Sequence, residues 1–79
     1  MKRLVFDMFN EEYKCYENLG QKEFSDAIED KTLHQIGKKQ AKELSELIGM
    51  KVIYRIEKKS ESGEWKVQVY LSNDRKGGN

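Results

Sequence analysis

Apolar positions along this chain recur first at intervals of two, then at intervals of three and four, then at two again. In residues 2–9 Leu4, Phe6 and Met8 share one side of an extended strand, and Val5 and Phe9 share the other with Asp7. Asn10, Glu11 and Glu12 supply turn chemistry, and Tyr13 to Leu19 reads as a second strand. A hairpin follows, with Asp7 opposite Lys14 as the preferred register because opposite charges help slightly across strands. Gly20 is expected to end that unit, and residues 24–30 to form a short helical turn opened by Ser25.

Over residues 32–50 the period becomes helical. Leu33, Ile36, Gln40, Ala41, Leu44, Leu47 and Ile48 gather on one side, and Gln35, Lys38, Lys39, Lys42 and Glu46 on the other. Thr32 and Gln35 fit a capping box, Gly49 suits a left-handed closing residue, and Gly37 on the apolar side lets another backbone approach closely. Residues 51–59 and 64–72 then alternate as a second hairpin around Ser60-Glu61-Ser62-Gly63, with Lys59 facing Glu64 and Ile56 facing Val67. That register points Val52, Tyr54, Ile56, Val67, Val69 and Leu71 at the helix. The expected fold is therefore α+β: a four-stranded antiparallel sheet of two hairpins, with one main helix packed on one face, in the order β-β-short α-α-β-β. Residues 1–72 form one domain in this reading, and residues 73–79, with no apolar side chain and two glycines, a flexible tail.

Composition sharpens this picture only in places. A chain of 79 residues buries only about 60% of the surface its unfolded form exposes, so self-association would help it, and a homodimer is expected. The single cysteine, Cys15, forms no internal disulfide, which suggests a reducing compartment; it reads as a small buried hydrophobe. No apolar run is long enough to span a bilayer, the amino-terminal stretch does not read as a signal peptide, and a cytoplasmic location is expected. The net charge of +1 conceals an asymmetry, since residues 1–30 carry four basic and eight acidic side chains and residues 31–79 eleven and six.

That polarity frames the candidate sites. The acidic residues Glu11, Glu12, Glu17, Glu23, Asp26, Glu29 and Asp30 match neither a calcium loop nor an acid/base pair; their functional reading is a surface for a basic protein partner. The sheet face away from the helix, with Phe9, Tyr16, Ile53, Arg55 and Tyr70, is a semi-apolar partner or dimer face. The alternative is nucleic acid following Lys38, Lys39, Lys42, Lys58, Lys59 and Lys66, an idea diluted by Glu43, Glu46, Glu57 and Glu64 among them. His34, the lone histidine, sits at the border of the helix faces and reads as structural or merely solvated rather than catalytic. No cofactor or metal motif stands out. Small size, high charge and missing site motifs resemble, in style rather than in residues, the accessory proteins of bacteriophages and mobile elements, many of which bind and block a host protein. The sequence thus points to a non-enzymatic interaction module, with nucleic-acid binding as the alternative.

Overall fold

A computed structural model describes residues 1–70, with side chains described for 1–67. Leu71, the domain boundary at 72, the tail 73–79 and the side chains of Gln68, Val69 and Tyr70 lie outside the described residues. The elements are β1 (Lys2–Asn10), β2 (Cys15–Phe24), α1 (Asp30–Ile48), β3 (Val52–Lys59) and β4 (Trp65–Tyr70). They form one antiparallel sheet in the order β2-β1-β3-β4, with α1 across one face, packed mainly on β3 and secondarily on β1. This is the α+β arrangement that the periodicities require.

The core follows from the alternation. Leu4 and Phe6 of β1 and Val52, Tyr54 and Ile56 of β3 point toward α1, which presents Leu33 and Ala41. Leu4, Leu33, Val52 and Ile56 are completely buried, each contributing about 1.5–3 kcal/mol of transfer free energy. Gly37 is buried in the same seam, against the ring of Tyr54.

Five sequence expectations change. The first hairpin is longer: β2 continues through Gly20 to Phe24 because a bulge opposite the Phe6/Asp7 step absorbs one residue, and Gly20 takes φ +151 there. Asp7 is paired with Asn18, not Lys14, which lies in the turn. The physical reason is local: Asn10 Oδ1 accepts the amides of Glu12 and Tyr13, fixing a turn over 11–14, and Asn18 Nδ2 donates to Asp7 Oδ1 at 3.2 Å.

The separate helical turn expected over 24–30 does not form. Phe24 closes β2, the Ser25 hydroxyl accepts the Ala27 amide, and its carbonyl accepts the Ile28 amide, which makes a tight turn. The main helix consequently starts at Asp30, earlier than expected, with Glu29 as a cap that makes no side-chain bond. Thr32 is thus already inside the helix, and the Thr32/Gln35 box does not form. What holds this end is charge: the Asp30 carboxylate receives Lys58 and, at 3.1 Å, Lys2, and it lies in the first turn, where the helix dipole favours an anion. At the other end Gly49 closes the helix at φ +69, donating to the Ser45 carbonyl, as the sequence implied.

The hydrogen bond from Lys58, then that from Lys2, holds the Asp30 carboxyl below its ordinary range. A carboxylate depressed in the folded state stabilises at pH above its unfolded value of about 3.9, and that contribution disappears as pH falls through the folded value. The side chain is 43% exposed, so the effect is modest. Melting temperatures measured down to pH 2 should therefore fall less steeply for Asp30→Asn than for the wild type below about pH 4. Parallel curves would contradict this assignment.

The second hairpin is slipped by one residue. Lys59 pairs with Trp65, Glu57 with Val67, Ile56 with Gln68 and Tyr54 with Tyr70, so Trp65 and Val67 lie on the face away from the helix. Ser60 organises the longer loop: its amide donates to the Glu64 carbonyl, and its hydroxyl accepts the Glu64 amide. On the far face Arg3 lies over the Trp65 ring, 3.9 Å from its centre, a cation–π contact unavailable in the other register.

Candidate interaction surfaces

The face opposite α1 carries ions rather than a bare apolar patch. Pairing aligns Arg3 with Glu57, Val5 with Arg55, and Asp7 with Ile53. Arg3 is bonded to Glu57; Arg55 Nε lies 3.3 Å from Asp7 Oδ2 and 3.6 Å from Glu57 Oε2. Glu57 and Asp7 are both buried, and each carboxylate has a guanidinium beside it, as burial of charge requires. Long arginine stems cover neighbouring apolar surface, and Val5 and Ile53 are buried. Ile53 is thus not available as a docking residue, and Arg55 is engaged within the chain. Phe9 and Tyr16 do meet, edge to face at 5.1 Å, with Tyr16 half exposed at one end of this face. Tyr70 pairs with Tyr54, so the one-residue slip separates it from the Ile53/Arg55 row.

The acidic residues do not form one surface. Glu11 and Glu12 lie in the β1–β2 turn, while Asp26, Glu29 and Asp30 lie beyond the far end of β2, which at strand rise is roughly 30 Å away. Asp26 meets the Met1 amino group, whose hydrogen bond lowers its carboxyl value, and Asp30 holds Lys2 and Lys58. Glu17 and Glu23 are exposed along β2. The sequence asymmetry is partly consumed inside the fold, since Asp7 and Asp30 of the acidic half bind Arg55 and Lys58 of the basic half.

The lysines also divide. Lys38, Lys39 and Lys42 are exposed on α1 and have no ion pair among the described residues; Lys58 is held by Asp30; Lys59 and Lys66 are exposed on β3 and β4. Lys66 pairs with Lys58 in register, beside Lys2. Cys15 is exposed at the start of β2, not buried as expected, because the turn ends one residue before it at the sheet margin. His34 Nδ1 and the Tyr54 hydroxyl share a hydrogen bond of 3.0 Å.

What the sequence did not single out is the side of the molecule where α1 overhangs β2. Leu47, counted among the inward-facing residues, is 81% exposed, and Ile48 and Leu19 are 38% and 39% exposed. The second half of the helix runs past the strands it packs on, so its apolar stripe outlasts its cover. An open groove of about 330 Å³ lies between Leu44 and Ile48 of the helix and Phe6, Leu19, Gly20 and Lys22 below, with a second of about 250 Å³ beside Leu47. The signal was present in the length of the apolar stripe, but only the placement of α1 reveals where cover stops.

Protein-family models, curated proteins and solved structures were compared with this chain, and none matches. Among the described residues, no helix is long and apolar enough to cross a membrane.

Proposed function

We propose that this chain is a non-enzymatic interaction module that takes an extended polypeptide along the side formed by β2 and the second half of α1. The observation that carries the reading is the coincidence of three uncovered apolar side chains, Leu19, Leu47 and Ile48, with a sheet edge whose outward backbone groups have no partner strand among the described residues. An unpaired edge supplies main-chain hydrogen bonds to an added strand, and an adjacent apolar groove supplies side-chain selectivity. Blocking of a partner protein, the mode suggested by the style of the sequence, would follow if the added strand came from that partner's own binding segment. The nucleic-acid alternative has less behind it, because its lysines fall in separate places and one of them is already committed to Asp30.

Peptides selected from a random library on the immobilised protein test this reading. Alternating apolar sequences should emerge, and Leu19→Asp/Leu47→Asp should weaken their binding by roughly tenfold or more, since burying an unpaired carboxylate is costly. Both positions are exposed, so the fold should survive, as circular dichroism would verify. A library that yields no binder sensitive to this double variant overturns the proposal.

A further inference from the structure

We infer that the strand added to β2 is β2 of a second copy of this chain, running antiparallel about a twofold axis between Leu19 and Gly20. The inference rests on the reading of β2 as the contact edge and names its occupant.

The bulge is what makes the edge self-complementary. Glu17 pairs with Met8 and Lys22 with Leu4, and Leu4 and Met8 both lie on the helix-bearing face. Glu17 and Lys22 are five positions apart, so a regular strand would send them to opposite faces; the extra residue at the bulge brings both to one face. In an antiparallel pair, residues directly opposite must share a face. A twofold between Leu19 and Gly20 satisfies this along the strand. It sets Glu17 against Lys22 of the second copy and Lys22 against its Glu17. Asn18 then faces Gln21 and Tyr16 faces Glu23, each pair on the opposite face of the sheet. Two opposite-charge pairs and two amide pairs therefore form at once.

Competing self-pairings lack this match. Centring the twofold on Glu17, Lys22 or Glu23 sets each of those charges against itself, which is destabilising. Charged residues and bulges on an edge ordinarily repel stray strands. Here the same devices penalise the like-charge registers and favour the one that matches opposite charges. The two grooves then lie on the same face of a continuous eight-stranded sheet, on either side of the joined β2 strands, with Leu19 of each copy at the junction.

Solution mass against concentration, for the full chain, tests the assignment. The wild type should reach twice the chain mass. Glu17→Lys sets lysine against lysine twice and should raise the dimer dissociation constant by roughly tenfold or more, whereas Glu17→Lys/Lys22→Glu, which restores opposite charges, should recover the wild-type value. In a Cys15→Ser background, Glu17→Cys/Lys22→Cys should form an intermolecular disulfide under mild oxidation, reporting the register directly. A monomer at millimolar concentration overturns the inference, as does a dimer indifferent to the charge changes or one that fails to cross-link. A monomer that still takes groove peptides overturns the second copy alone; one that takes none removes both readings.

Discussion

Replacing Leu33 by alanine is expected to lower the stability of this protein by about 2–5 kcal/mol, the range for truncating a fully buried leucine whose cavity cannot collapse. Leu33 has no exposed surface and lies in the first half of α1 with Leu4, Val52 and Ile56 in the same cluster. It is one of only three buried positions on the helix, with Gly37 and Ala41, and the only one of these that brings a large side chain. A domain of this length has a total stability on the order of 4–12 kcal/mol, so the variant should retain anywhere from almost none to roughly four-fifths of it. Urea denaturation, with the midpoint falling and the slope unchanged, is the measurement. A loss below about 1 kcal/mol would mean that α1 is not anchored through this side chain.

Gly37→Ala should also destabilise, which reverses the ordinary sign of that change in a helix. At an exposed helical position alanine gains about 1 kcal/mol over glycine. Here an added Cβ would come within 2.6 Å of Tyr54 Cδ2 and 2.9 Å of its Cγ. Atoms near the root of a ring cannot swing aside, and this ring is buried with its hydroxyl held by His34. Overpacking of this kind costs about 1–3 kcal/mol, which exceeds or cancels the helical gain. Gly37→Val, with two more carbons and poorer helix propensity, should cost about 3 kcal/mol or more. Repeating both changes in a Tyr54→Leu background separates the terms: without the ring, Gly37→Ala should become neutral or favourable. Stabilisation by alanine in the wild-type background would show that α1 does not approach β3 as closely as described.

The two predictions illustrate different legibility. Gly37 on the apolar side announced a close approach, but the sequence could not say that a tyrosine ring, rather than backbone, fills the space. Leu33 was legible as core from spacing alone. Leu47 was legible as apolar and nothing more, because helical periodicity records direction around an axis and not how far along that axis the sheet extends.

The sequence by itself determined the order and type of the main elements, the helix stop at Gly49, and the β1 and β3 side chains that meet the helix. These are local matters of period and conformational preference, repeated over many residues, so their signals add. The tertiary structure alone decided both hairpin registers, the bulge at Gly20, the ion pairing across the far sheet face and, among the described residues, the unpaired edge at β2. A single cross-strand pair contributes only about 0.2–1 kcal/mol, too little by itself to set a register. Here the balance lies with contacts distant in sequence or local to the turns: Arg3 over Trp65, Arg3 and Arg55 with Glu57, Asn18 with Asp7, and Ser60 with Glu64. Such contacts exist only once β1 and β3 are neighbours, which no period along the chain can express.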